Sequence, residues 1–172
     1  MACTNNVEMK RGIKLVHKRI LFVCTGNTCR SPMAEALLRN ISQEFLIDLE
    51  VKSAGTHAYD GMEASEYSSM ALQEKGIDHD HRSQAITPEL IRWSDLILTM
   101  TAGHQAILEQ IFPEAKEKMF TLKGLAYGAQ DPDQDIPDPY GGSVEMYQET
   151  RNEIEQAIRQ LLRKWNFNSE NE

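Results

Sequence analysis

Four short apolar runs alternate with helix-forming stretches along this chain, and that alternation limits the folds open to it. The runs cover residues 20–24, 49–53 (closing on Ala54-Gly55), 95–100 and 119–122. They are continuous rather than alternating, which fits strands buried on both faces of a parallel sheet. Start signals mark the helices between them. Ser31-Pro32 sets a capping hydroxyl before a proline at the first helical position, and Thr87-Pro88-Glu89 repeats the device. The last helix is predicted to begin near Ser143. Its apolar residues Tyr147, Ile154, Ile158, Leu161 and Trp165 fall mostly three or four apart and form one core face. The pattern predicts a doubly wound α/β fold with a four-stranded parallel sheet flanked by helices on both faces.

At 172 residues the chain has the length of one domain. That domain is expected over residues 19–168, between an extension at 1–18 and a short tail at 169–172. The extension carries Lys10, Arg11, Lys14, His17 and Lys18 but no apolar core, so it reads as a solvated tail rather than a secretory signal. A formal net charge of -8 argues against a nucleic-acid partner held by phosphate contacts. No stretch approaches the roughly 20 apolar residues of a membrane span. Three cysteines, Cys3, Cys24 and Cys29, are too few for a disulfide scaffold, so a cytoplasmic home is expected. A monomer is expected.

The first apolar run ends in Cys24-Thr25-Gly26-Asn27-Thr28-Cys29-Arg30-Ser31, just before a helix-forming stretch. A loop between a strand and a helix N-terminus can turn its backbone N–H groups inward on an anion. Gly26 is expected to take unusual backbone angles, and Asn27 tolerates a left-handed one. The planar Arg30 guanidinium can hold two phosphoryl oxygens at once. The same positive field is expected to lower the pKa of Cys24, with Ser31 donating a hydrogen bond to its sulfur. The chemistry implied is a thiolate nucleophile attacking phosphorus, with no metal and no cofactor. A buried structural cysteine is the alternative reading of Cys24.

Phosphate is displaced easily only when its leaving group is protonated, so an acid is required. Candidates cluster in Asp131-Pro132-Asp133-Gln134-Asp135-Ile136-Pro137-Asp138-Pro139-Tyr140-Gly141-Gly142. A calcium loop does not fit, because Ile136 replaces the turn glycine and Gly142 the closing glutamate. Asp131, Asp133 and Asp135 read as solvated.

The run from Val23 to Glu35 resembles the signature of the low-molecular-weight protein tyrosine phosphatases, and the resemblance extends from about Arg19 to about Trp165. It implies a four-stranded parallel sheet with flavodoxin-like winding and phosphorylated proteins as substrates. It also implies roles for particular residues. Cys24 is the nucleophile, and Thr25, Gly26, Asn27, Thr28, Cys29 and Ser31 complete the phosphate loop with Arg30. Asp138, in Asp-Pro-Tyr, becomes the proton donor and later the base that activates water, and Tyr140 lines the pocket. Ser53 and His81 match positions that support the cradle asparagine; a surface or capping histidine is the alternative for His81. Cys29 matches a cysteine that forms a reversible disulfide with the nucleophile, and a small buried residue is the alternative there. No metal or catalytic role is expected of His17, His57, His79 or His104.

Thr28 departs from the branched aliphatic residue usual in the phosphotyrosine enzymes. Its hydroxyl suits a polar phosphoguanidinium better than a phenyl ring. Together with Asp-Pro-Tyr-Gly-Gly-Ser it resembles the bacterial protein-arginine phosphatase branch. Phosphoarginine in proteins is therefore the expected substrate, with phosphotyrosine the alternative. A thioredoxin-coupled arsenate reductase needs later cysteines, and none follows Cys29. A non-enzymatic phosphate-binding module would leave Asp138 unexplained.

Overall fold

The computed structural model describes residues 19–170, with side chains to Trp165. The N-terminal extension and the last two residues of the tail lie outside the described residues. Strands β1 (Arg19–Cys24), β2 (Glu50–Gly55), β3 (Leu96–Thr99) and β4 (Met119–Thr121) form one sheet in the order β2-β1-β3-β4. All neighbouring pairs are parallel, with Cys24 opposite Gly55 and Val23 opposite Thr99. The predicted sheet is therefore the observed one. Strand ends differ by one or two residues, because Leu122 starts a helix and Asp95 and Met100 lie outside the ladder.

Every residue of β3 is buried, as are Ile20 to Cys24 in β1, so both faces of the central strands are covered. One face carries Ile20 and Phe22, which pack with α1 (Arg30–Glu44), α2 (Glu66–Gln73), α5 (Leu122–Tyr127) and α6 (Val144–Glu170). The other carries Leu21, Val23 and Ile97. It packs on α3 (Pro88–Trp93), α4 (Ala102–Ile111) and the 3₁₀ turn Pro113–Lys118. The predicted face of the last helix is the buried one: Tyr147, Ile154, Ile158, Leu161 and Trp165 are all in the core.

Thr87 caps α3 as expected, accepting the Leu90 amide at 3.2 Å. The Ser31 expectation needs correction. The helix begins at Arg30 with Cys29 in the capping position, and Ser31 lies inside its first turn. Its hydroxyl serves the loop instead of the helix end.

The winding reverses at β1, whose neighbours β2 and β3 lie on opposite sides. The carboxyl end of a strand at such a reversal opens a crevice. Cys24 ends β1, so the fold places its sulfur at that crevice. No helix among the described residues is long and apolar enough to cross a membrane.

Candidate active site

Residues 25–29 curl between β1 and α1. The strain of that curl sits on Asn27, which has a φ of 56° and is completely buried. Asparagine is among the residues that tolerate this region, at a modest cost that the surroundings must offset. Gly26 does not have a positive φ, contrary to expectation. A Cβ there would meet only the Thr28 hydroxyl, at 3.8 Å, so what matters at Gly26 is open space rather than unusual backbone angles.

Four contacts hold Asn27. Its amide nitrogen donates to Ser31 Oγ and Ser53 Oγ, both at 2.9 Å. Its side-chain oxygen accepts the Gln84 amide at 2.9 Å, and its carbonyl accepts His81 Nε2 at 2.6 Å. Ser53 and His81, the two residues the resemblance set beside the asparagine, both contact it. The chain of contacts continues outward: Ser53 donates to Glu35, and Glu35 pairs with Arg39 at 2.7 Å. Glu35 and Gln84 carry no local sequence signal, since their partners are distant in the chain.

Ser31 Oγ lies 2.8 Å from Cys24 Sγ. Because Ser31 already accepts from Asn27, its own proton is free to point at the sulfur. Burial pushes the Cys24 thiol up from its ordinary value, against the Ser31 hydroxyl, the Ser31 and Asn27 backbone and the Arg30 charge, all of which pull it down. The lowered value expected from sequence is therefore not what this arrangement gives. The loop supplies the anticipated stabilisation, but Cys24 is only 3% exposed and its sulfur loses more hydration than an exposed loop cysteine would.

Arg30 is 5% exposed and aims back over the loop, donating to the Ile136 carbonyl at 3.0 Å. Its other nitrogen, Nη2, lies 3.4 Å from Asp138 Oδ2. Ile136 anchors the acidic segment. Its side chain is fully buried, its amide donates to the Met100 carbonyl at 2.8 Å, and its own carbonyl receives Arg30. That anchor places Asp138, two residues on, above the loop. The neighbouring aspartates are not merely solvated. Asp133 pairs with Lys123, and Asp135 accepts the Ala102 amide at the start of α4 at 2.8 Å.

Cys24, Thr25, Gly26, Thr28, Cys29, Arg30, Asp138 and Tyr140 line one pocket of about 230 Å³. Tyr140 is 79% exposed and stands at its edge, its amide donating to Asp138 Oδ1 at 3.1 Å. Cys29 Sγ lies 3.3 Å from the Tyr147 hydroxyl and 3.4 Å from Ser65 Oγ. Burial pushes Tyr147 up to about 12, so it meets Cys29 as a neutral phenol. Cys24 and Cys29 are both free thiols.

His104 is a site neighbour for which the sequence predicts no role. Its Nε2 lies 2.8 Å from Thr25 Oγ1 and its Nδ1 2.9 Å from Thr101 Oγ1, bracing the loop from the start of α4. Burial and the Arg30 charge push it down to about 4. The Thr101-to-His104 spacing at a helix start is the one sequence sign of this brace, because Thr101 also caps the His104 amide.

The arrangement brings a cysteine thiol, a curled loop between strand and helix, a buried guanidinium and a carboxyl group to one pocket. Comparison with known proteins agrees with that chemistry. The family described as low molecular weight phosphotyrosine protein phosphatase matches residues 19–171. A protein-arginine-phosphatase of Geobacillus stearothermophilus is 51% identical over 146 residues, covering 85% of this chain and 95% of that protein. A low molecular weight protein-tyrosine-phosphatase of Acinetobacter johnsonii is 39% identical, covering 77% of this chain and 87% of that one. The solved YwlE arginine phosphatase of Geobacillus stearothermophilus superposes with a TM-score of 0.82 at 49% identity, over 90% of this chain and 96% of that one. The chain is a member of the low-molecular-weight phosphotyrosine protein phosphatase family.

Proposed function

We propose that the chain is a protein-arginine phosphatase, removing phosphate from phosphoarginine side chains in two steps. In the first, the Cys24 thiolate attacks phosphorus in line with the departing nitrogen. The loop amides and Arg30 hold the phosphoryl oxygens, which favours the charge that develops between them. The P–N bond breaks, its electron pair goes to nitrogen, and Asp138 delivers a proton there. The products are an arginine side chain and a thiophosphoryl-cysteine. In the second step Asp138 takes a proton from water, which attacks phosphorus and returns Cys24 as thiolate with inorganic phosphate.

The observation that carries the chemistry is the meeting of Cys24, Arg30 and Asp138 on one pocket, with Ser31 Oγ 2.8 Å from the sulfur. Two observations favour the arginine substrate. Thr28, a hydroxyl-bearing residue, lines the pocket, and the Asp138 carboxylate stands half-exposed on it, where a guanidino group would pass. The relative at 51% identity bears the same activity in its name. The exposed Tyr140 at the pocket edge favours phosphotyrosine as the second reading. We place the enzyme in the cytoplasm, acting on phosphorylated proteins as a monomer.

Hydrolysis of p-nitrophenyl phosphate in the presence of a chelator tests the chemistry. The full chain should turn over there, Cys24→Ser should abolish turnover, and Asp138→Asn should lower kcat by about 10²–10⁴-fold. Activity that survives Cys24→Ser would refute the assigned nucleophile.

A further inference from the structure

A cluster of metal-ligating side chains lies behind the phosphate loop, outside the pocket. Glu35, His79 and His81 come from α1 and from the segment that follows α2, and none of them lines the pocket. Each offers one ligand atom, and these atoms all lie within 4.8 Å of one another. His79 Nε2 is 3.8 Å and His81 Nδ1 is 4.0 Å from the same oxygen, Glu35 Oε2. The two imidazole rings stack, with centroids 5.5 Å apart.

The hydrogen bonds around the cluster leave these three atoms facing inward. His81 Nε2 donates to the Asn27 carbonyl, which can only accept, so Nδ1 is the ring nitrogen left toward Glu35. Glu35 Oε1 is engaged by Arg39 and Oε2 receives Ser53, which leaves Oε2 a further lone pair. His79 Nε2 is buried and has no hydrogen-bond partner among the described residues, on a side chain only 9% exposed. A buried polar atom without a partner is rare enough to need an explanation.

We propose that Glu35, His79 and His81 form a binding site for a divalent transition-metal cation of the zinc type. Two imidazole nitrogens and one carboxylate oxygen are a donor set zinc accepts, whereas calcium and magnesium prefer oxygen alone. Zinc bonds of about 2.0–2.1 Å hold tetrahedral ligand atoms about 3.3 Å apart. The 3.8 Å and 4.0 Å separations from Glu35 therefore need a modest contraction, and the two histidine nitrogens, within 4.8 Å of each other, would close by up to about 1.5 Å. The outer contacts are those that orient metal ligands elsewhere: a carbonyl on the second histidine nitrogen, and a hydroxyl and a guanidinium on the carboxylate.

A cation there would tie together two groups that hold the strained Asn27. His81 bonds its carbonyl, and Glu35 holds Ser53, which accepts its amide. The site would thus clamp the phosphate loop from behind without touching substrate. It takes no part in the proposed phosphoryl transfer.

The test separates this site from the active-site thiols. Zinc chloride is titrated against a chromogenic chelator with the full chain carrying Cys3→Ser, Cys24→Ser and Cys29→Ser. One equivalent should bind and raise Tm. Adding His79→Ala should weaken binding by about tenfold or more and remove the rise in Tm, with a thermal melt verifying that this chain is folded. Magnesium and calcium should not compete. Absence of a bound equivalent would overturn the proposal, as would equal zinc affinity with and without His79.

Discussion

At the residue scale the decisive interaction is the one between Ser31 and Cys24. Ser31 Oγ is fixed by Asn27, so its proton is committed to a sulfur 2.8 Å away. Of the influences that lower the Cys24 pKa, this side-chain hydrogen bond is the largest, and it works against burial. Ser31→Ala removes it and leaves the burial in place. The account predicts that the pH midpoint for alkylation of Cys24 by iodoacetamide moves upward in Ser31→Ala, and that kcat falls with it. An unmoved midpoint would show that the hydroxyl does not stabilise the thiolate. Cys24 and Arg30 stood out in the sequence because an anion loop with a nucleophile restricts those positions to few residue types, whereas Asp138 was set apart from the neighbouring aspartates only by the family resemblance. The burial of the sulfur was not legible, since it comes from α1, β2 and the acidic segment closing around the loop. Ser31 was legible as a functional hydroxyl but not as a residue inside the helix.

At the element scale the site depends on how closely β2 approaches the loop after β1. Gly55 pairs with Cys24 in the sheet, and its amide donates to the Gln84 carbonyl at 2.9 Å. A Cβ at Gly55 would clash with the Thr25 carbonyl oxygen and would lie 2.8 Å from the Ala58 Cβ. Both the loop backbone and the sheet would have to move. Gly55→Ala is therefore predicted to cost about 1–3 kcal/mol, the range for overpacking. A denaturant midpoint measures it, and a midpoint equal to that of the parent chain would contradict the packing argument. Gly26→Ala meets no such obstacle. The strand-to-helix order was readable from the apolar runs and cap residues, because those signals are local. The tight joint at Gly55 and the Ile136 anchor were hidden, and of the Thr25–His104 brace only the local Thr101-to-His104 half left a sign, because each joins segments far apart in the chain.

At the scale of the whole molecule, the reversal of winding at β1 gathers loops from β1, β3 and the acidic segment at one end of the sheet. That gathering buries His104 in neutral form, with its pKa pushed down to about 4 by burial and by Arg30. The unfolded chain would protonate it near 6.5. Above that pH the group is neutral in both states and stability does not depend on it. As pH falls from 6.5 toward 4, the unfolded chain takes up a proton that the folded chain refuses, so stability is lost. Denaturant midpoints measured across that window should decline, and His104→Gln should flatten the decline. Equal slopes in the two chains would contradict the assignment.

The same gathering sets Thr28, Asp138 and Tyr140 around one opening, where the proposed function has substrate identity decided. The most direct test of the central claim is kcat/KM on two peptides of one sequence, carrying phosphoarginine or phosphotyrosine at the same position. The account predicts a clear preference for phosphoarginine, and a shift toward phosphotyrosine in Thr28→Ile of no more than a few kcal/mol, the reach of one side chain. A clear preference of the parent chain for the phosphotyrosine peptide would contradict it.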